Sequence, residues 1–503
     1  MGIQSMTGFA RVAGHVDGRA FAWEIRAVNG RSLDIKLRTP PGFDSVGDEG
    51  RKRLGTMVAR GTIHITLTLA IADGPRALKV NLEALSTLMA ALAAVTPPQG
   101  IGGATLDGLL NLRGVIEHLD HIQSLGATAI YFCPIFQSGA NHRYHTHDYY
   151  QIDPMLGGNA ALTDLLEAAH AREMKVVLDG VFNHASRGFF QFHDILENGS
   201  QSAYIDWFHV KGFPLRAYES KDPPNYDAWW GYPALPKFNT ATVAVREFLW
   251  EIAEYWIAQG VDGWRLDVPN EIDDDGFWQE FRRRVKSANQ NAYIVGEIWG
   301  DATRWLQGDQ FDAVMNYPFT RLALGFCGAK TLQQSVIKDT GYSDMLPVNA
   351  EDLAARAEEL LKHHPWEITL AQLNLLGSHD TPRVITVVKD VQAIKLATVL
   401  QMTFPGVPCI YYGDEIGLEG GRDPDCRRAF PWNEREWNTD LLEFTRTCIS
   451  LRLNHPALQR DAYRTLYATG MTYAFERSLE RTRIVTVINA DAGAVTVTLE
   501  PGM

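Results

Sequence analysis

Cysteine is scarce and scattered in this 503-residue chain, with only Cys133, Cys327, Cys409, Cys426 and Cys448. No two of them stand at metal-ligand or redox spacing, and their odd number completes no disulfide framework. A reducing, cytoplasmic compartment is therefore expected. Long apolar runs are missing as well. No stretch reaches the roughly 18 uninterrupted apolar residues of a membrane-spanning helix. The first residues, MGIQSMTGFARVAG, lack the basic start and apolar core of an export signal. Met6 stands where a myristoylation motif needs Ser or Thr, so no membrane partner is expected. Excess positive charge is also absent. The balance of 47 basic against 60 acidic residues, net -13, argues against a chain that wraps nucleic acid as a whole. Nor does a Gly-rich phosphate loop follow any predicted strand, which leaves nucleotide binding without support.

What is present is enough chain for two to four domains, with 46% apolar residues and 13 Trp and 17 Tyr. Residues 20–38, AFAWEIRAVNGRSLDIKLR, alternate as two strands joined by a hairpin at Asn29-Gly30. GTIHITLTLAIAD (61–73) reads as a further strand, and EALSTLMAALAAV (83–95) as an amphipathic helix stopped by Pro97-Pro98. This is a small α+β domain over 1–112, with PPQGIGGA as its linker. From residue 113 the rhythm turns to strand then helix. Strands are predicted in ATAIYFCPIF, MKVVLDGVF, GWRLDV, YIVGE, FDAVMNY, LNLLGS and PCIYYGDE, with an irregular excursion over 185–243. Alternation over some 300 residues (113–436), with polar residues at many strand ends, favours a parallel barrel over an open doubly wound sheet. The count is seven strands, not eight, and the absent one would precede GVIEHLDHIQSLG. TYAFERS, RIVTVIN and AVTVTLE close the chain as a small antiparallel β domain within 437–503.

Three carboxylates end apolar runs: Asp267 in GWRLDVPNE, Glu297 in YIVGEIW and Asp380 in LNLLGSHDTPR. Carboxylates delivered by the ends of separate strands are how a barrel assembles acid, nucleophile and stabiliser around one bond. Arg265, two residues before Asp267, shares its face of the strand and is expected to lower its pKa and keep it ionised. On that segment alone, a salt bridge closing the strand end reads as well. Glu297 lies beside apolar and aromatic residues, a desolvated setting that suits a general acid and equally a capping Glu. His379 and Arg383 flank Asp380, while Asp179 and His184 in VVLDGVFNH add a second polar cluster; an Asp inside an apolar strand needs partners. His142, His145 and His147 lack the cysteine or carboxylate pattern of a metal motif, and no metal is expected.

Taken together, DGVFNH, GWRLDVPNE, VGEIW and LLGSHDTPR resemble, in order, the motifs of the α-amylase superfamily, glycoside hydrolase family 13. The flanking NHRYHTHDYYQIDPMLGG and TFPGVPCIYYGDEIGLEGGRDPDCRRAFPW resemble the cyclomaltodextrinase, neopullulanase and maltogenic amylase group. The resemblance implies an α/β fold of (β/α)8 type lacking its first strand, with an N-terminal α+β and a C-terminal β domain. It implies Asp267 as nucleophile, Glu297 as acid/base and Asp380 as transition-state stabiliser. It further implies Tyr149 stacking on the sugar before the cut, with Asp148, Asp179, His184, Arg265, His379 and Arg427 as substrate-binding residues. α-Glucan oligosaccharides or cyclodextrins would be the substrates, with hydrolysis or transfer of α-1,4 bonds and no organic cofactor. At the Asn183 position better-known amylases also ligate calcium.

The first 117 residues resemble something else. MTGFAR, WEIRAVNGRSLDIKLRTPPGFD, RGTIHITL and LDGLLNLRGVIE are similar to the N-terminal half of the YicC-like family, which is linked to RNA cleavage. Both families read through the same letters near GVIEHLD. A fusion there would remove the glycosidase's own first strand and the N-terminal domain that in relatives helps build a dimer. GTIHITLTL is one candidate to fill the vacated place in the barrel. RNA is the partner this half implies, through Arg51, Lys52, Arg53 and Arg60, although a solvated helix face explains those cations as well. The alternative function is thus an RNA-binding or RNA-cleaving protein carrying an incomplete glycosidase.

Overall fold

The computed structural model describes residues 7–16, 19–28, 33–39, 44–57, 61–69, 111–218, 220–460 and 462–498. The chain divides into two compact units, Met1–Pro98 and Gln99–Met503. In the first, β1 (Thr7–Val16), β2 (Arg19–Val28), β3 (Leu33–Arg38) and β4 (Gly61–Leu69) form a sheet of order β1-β2-β4-β3. The expected hairpin between β2 and β3 does not form, because β4 lies between them, antiparallel to β2 and parallel to β3. The hairpin is β1-β2 instead, whose connecting pair is Asp17-Gly18, itself a favoured turn dipeptide. With β2 on one side and β3 on the other, β4 has both hydrogen-bonding edges occupied within its own sheet. GTIHITLTL therefore cannot be the missing barrel strand. The predicted helix at 83–95 and the linker at 97–104 lie outside the described residues.

In the larger unit all seven predicted barrel strands are found. They are β5 (Ala129–Tyr131), β8 (Lys175–Gly180), β9 (Gly263–Leu266), β10 (Tyr293–Gly296), β11 (Ala313–Val314), β12 (Leu373–Leu375) and β13 (Val407–Cys409). Between β5 and β8 comes a small hairpin of β6 (Phe136–Ser138) and β7 (Thr146–Ile152). Parallel pairing runs β5-β8-β9-β10-β11, a Met315–Leu373 bridge joins β11 to β12, and β12 pairs with β13. The central strands KVVLDG, GWRL and YIVG are almost wholly buried, as sheets covered on both faces require. Close strand approach sets some of the sequence here: a Cβ on Gly263 would sit 2.4 Å from the Tyr293 carbonyl oxygen. Among the described residues nothing pairs β13 back to β5, so the barrel is a seven-stranded set open at one seam. Both seam strands are partly exposed.

Helices close the ring outside that seam. Leu125, from helix Leu119–Leu125, packs with Cys448, Ile449, Leu442 and Met402 in one apolar cluster. An open edge carries unpaired backbone groups and opens at lower free energy than a paired interior strand. Amides of Ala129–Tyr131 and Val407–Cys409 are accordingly expected to exchange with deuterium faster than those of Val176–Leu178 and Ile294–Val295. Equal protection across all seven strands would contradict an open seam.

The chain closes with an antiparallel sheet of β14 (Tyr463–Thr469), β15 (Thr472–Leu479) and β16 (Thr482–Asn489). This sheet is shifted toward the N-terminus relative to the expected one. YRTLYAT is a strand, whereas residues 494–498 of the expected AVTVTLE are not, and its end lies outside the described residues. No helix among the described residues is long and apolar enough to cross a membrane.

Candidate active site

Arg265, near the end of β9, is fully buried and organises the site. Its Nη1 donates to both Asp179 oxygens, at 3.0 and 2.9 Å, and to Asp267 Oδ1 at 3.1 Å. Its Nη2 lies 3.0 Å from Glu297 Oε2. One guanidinium thus gathers carboxylates from the ends of β8, β9 and β10. Their backbones are in register: Asp267 N–H donates to Gly180 O at 3.0 Å and Glu297 N–H to Leu266 O at 2.9 Å. Val268 follows in the left-handed region with φ 36°, a costly conformation for a β-branched residue. That turn aims the Val268 N–H at Glu297 Oε2, 3.2 Å away.

Asp380 completes the set from the loop after β12. Arg427 Nη2 donates to its Oδ1 at 3.3 Å, Arg427 Nε donates to the His379 carbonyl at 3.1 Å, and His379 Nε2 lies 3.1 Å from Asp380 Oδ2. Burial, then Arg265 and Arg427, hold His379 well below the usual imidazole pKa, so it is neutral. Tyr144 links the two halves of the site. Its hydroxyl donates to Asp179 Oδ2 at 3.0 Å and lies 2.5 Å from His379 Nε2, with the two rings stacked at 5.7 Å.

The electrostatics overturn one expectation. Arg265 does pull the Asp267 pKa down, but burial, Glu297, Asp179 and Asp380 together push it well above the ordinary carboxylate value. Burial likewise raises Asp380, and pushes Asp179 up to about 6 against the opposing pull of Arg265. These carboxyls titrate as a coupled set. As pH falls through about 6, Asp179 loses its charge, and Arg265 and Tyr144 lose a partner. Turnover per free enzyme, kcat/KM, should fall along that acid limb. Asp179→Asn, which lacks that charge at every pH, should lower kcat/KM throughout and remove the limb near 6. An unmoved limb would contradict this coupling. The stability sign follows from the same raised pKa. Folded Asp179 holds its proton when the unfolded carboxyl at 3.8 has lost it, so its contribution falls as pH rises from about 4 to about 6.

His184 is buried and held down to about 3, first by burial, so it too is neutral. Its Nε2, Asn183 Oδ1 and Trp229 Nε1 are buried without a hydrogen-bond partner, and the His184 and Trp229 rings stack at 5.2 Å. Among the described residues no three carboxylate, thiolate or imidazole side chains gather as a metal site. No step below uses calcium.

Asp179, His184, Arg265, Asp267, Glu297, His379, Asp380 and Arg427 all meet in this region. Two expected residues make other contacts. Tyr149 is only 1% exposed, its hydroxyl donates to the backbone carbonyls of Val181 and His184, and its ring packs against Phe136, Phe182 and Phe189. No face of it is left for a sugar. Asp148 accepts from the Tyr150 N–H at 2.8 Å, a turn contact. Two further site residues, Tyr144 and Trp299, are not singled out by the sequence. Trp299 Nε1 donates to Glu297 Oε1 at 3.0 Å while its ring stacks on Tyr317 at 3.5 Å. A Cβ on Gly341 would come within 2.2 Å of the Trp299 ring, so only glycine fits there. The i, i+2 relation of Trp299 to Glu297 was the available signal.

Comparison with known proteins follows the same lines. Residues 99–454 match the family described as alpha amylase, catalytic domain, and residues 3–130 match the endoribonuclease YicC-like N-terminal region, so 99–130 belong to both matches. A cyclomaltodextrinase from Bacillus sp. is 43% identical over 397 residues, covering 78% of this chain and 68% of that protein. The crystal structure of Ttha1563 from Thermus thermophilus is 49% identical with a TM-score of 0.75, covering 80% of this chain and 84% of that one. The cyclic α-maltosyl-(1→6)-maltose hydrolase of Arthrobacter globiformis, in complex with cyclic α-maltosyl-(1→6)-maltose, is 40% identical with a TM-score of 0.70, covering 78% and 86%. This chain spans 58% to 68% of the length of the cyclomaltodextrinases it matches. With the strand order, the carboxylate cluster and these matches in agreement, the chain belongs to the α-amylase superfamily, glycoside hydrolase family 13, joined to a YicC-like N-terminal region.

Proposed function

We propose that the chain hydrolyses α-1,4-glucosidic bonds of cyclodextrins and maltodextrins with retention of configuration. The observation that carries this reading is the placement of Asp267 and Glu297 on the two terminal nitrogens of one guanidinium. Carboxyls held that closely suit a retaining pair, at about 5 Å, rather than the wider inverting spacing. Glu297 gives its proton to the glycosidic oxygen while Asp267 attacks the anomeric carbon, breaking the C–O bond and forming a glycosyl ester. Water then enters, loses its proton to Glu297 and releases Asp267. Asp380 binds ring hydroxyls, and neutral His184 and His379 hydrogen-bond the sugar and hold it in place without setting a further positive charge beside the developing oxocarbenium. The unpartnered atoms of Asn183, His184 and Trp229 support a polyhydroxylated ligand, since buried polar groups demand partners. A sugar hydroxyl in place of water gives transglycosylation. A cytoplasmic setting is supported by five free thiols, three of them buried.

Purified full chain incubated with cyclodextrin, maltotriose or pullulan should release maltose or glucose; no release from any of the three contradicts the reading. The domain limits we propose are 1–112, 113–436 and 437–503. Arg51, Lys52 and Arg53 are exposed on helix Asp44–Met57, and Arg60 lies outside the described residues. We read these cations as a solvated helix face. RNA binding that weakens with salt and disappears when they are neutralised would overturn that view.

A further inference from the structure

Arg427, which meets Asp380 and the His379 carbonyl, rides on the long segment between Leu418 and Trp437. Its neighbours are tied to the barrel on one side. Arg383 Nε donates to Cys426 O at 2.8 Å, Tyr411 hydroxyl to the same carbonyl at 3.3 Å, and Tyr412 hydroxyl to Arg428 O at 2.7 Å. Beyond Arg428 the segment is held by rings. Trp432 lies flat on His118, with centroids 3.4 Å apart and planes 9° from parallel. His121, in the helix that His118 precedes, meets Phe430 at 5.6 Å, Trp432 at 5.5 Å and Trp437 at 5.1 Å. Phe430 also packs on Trp432 and Trp437, at 4.4 and 5.6 Å. The helix carrying His121 is anchored in turn by Leu125 against Ile449 and Cys448. Both histidines come from residues 99–130, the stretch shared by the two family matches.

We propose that His118 and His121 are positioning residues: their clamp on Phe430, Trp432 and Trp437 holds the segment so that Arg427 stands against Asp380. The effect on catalysis rests on the proposed hydrolysis, while the clamp itself does not. Neither histidine touches the carboxylates. They act through a chain of ring contacts and five residues of backbone, so their influence should vanish once Arg427 no longer has a side chain to place.

A double-mutant cycle on the full chain tests this. His118→Ala and Trp432→Ala, on opposite sides of the stack, should each lower kcat/KM about tenfold, as misplacement of a distant support does. In an Arg427→Ala background either change should cost less than about twofold, because coupled residues do not add. Trp432→Phe, which keeps a ring on His118, should recover most of the loss. Full additivity with Arg427→Ala would overturn the proposal, as would parent-like kcat/KM in both single variants. If one single variant fails to fold, the other carries the cycle. Hydrogen exchange supplies a readout independent of turnover. The Asp425 and Arg427 amides, bonded to the Arg422 and Pro424 carbonyls at 2.8 and 3.0 Å, should exchange faster in His118→Ala. Unchanged exchange contradicts the clamp, whereas a parent chain without turnover contradicts the hydrolysis alone.

Discussion

Asp267→Asn is expected to abolish turnover and to raise stability in the same molecule. The amide keeps the shape of the side chain and its place 3.1 Å from Arg265, but it cannot form the glycosyl ester. Loss of the group that carries the covalent step costs on the order of 10⁴-fold or more in kcat. The stability gain comes from the electrostatics. Burial and the charges of Glu297, Asp179 and Asp380 all disfavour an ionised Asp267, and only Arg265 opposes them. Removing a destabilised charge should therefore raise the unfolding temperature at neutral pH. Thermal unfolding and a glucose-release assay on the same preparation measure both effects. A variant that keeps a tenth of parent turnover, by rough kinetic standards, would remove Asp267 as nucleophile. A variant less stable than the parent would mean that the carboxylate is a net structural asset.

Arg265→Met should do the opposite to the fold. The guanidinium is fully buried and serves Asp179, Asp267 and Glu297 together. Without it three carboxyls face one another in a dry strand end. Breaking one side of a buried ion pair costs about 3–5 kcal/mol, and turnover should be lost with the geometry. The pH dependence distinguishes this cause from poor packing. Arg265 lowers the pKa of both Asp179 and Asp267, so its loss raises them further above their unfolded values. Folded carboxyls then bind protons that the unfolded chain has released, and the deficit relative to the parent grows as pH rises above about 4. A deficit that is flat between about pH 4 and pH 7 would assign the loss to the methionine's packing instead.

Much of this site was legible because barrel chemistry sits at strand ends. Apolar runs such as KVVL and YIVG announce strands buried on both faces, and the polar residue that breaks each run is the one delivered to the rim. Asp179, Asp267 and Glu297 were found that way, and so was the shortage of one strand. The legible part stops where three-dimensional neighbours decide. YHTHDYY offers three tyrosines, and only the fold shows that Tyr149 turns into a cluster of phenylalanines while Tyr144 reaches Asp179. The sign of the Asp267 pKa shift depends first on burial, with Glu297, Asp179 and Asp380, all distant in sequence, adding to it against an arginine two residues away. In the N-terminal unit Asn29-Gly30 reads as a hairpin, and the placement of β4 between β2 and β3 that prevents it has no local signature. Likewise the resemblance to two families at the junction gave no hint that His118 and His121 would face Trp432.

The central claim is that a seven-stranded, open barrel still presents Asp267 and Glu297 as a retaining pair. Proton NMR of the anomeric centre, followed from the first minutes of cyclodextrin or maltotriose cleavage by the full chain, tests it most directly. The account predicts that the first product appears as the α-anomer and mutarotates afterwards. A first product in the β configuration, or no product at all, would contradict it.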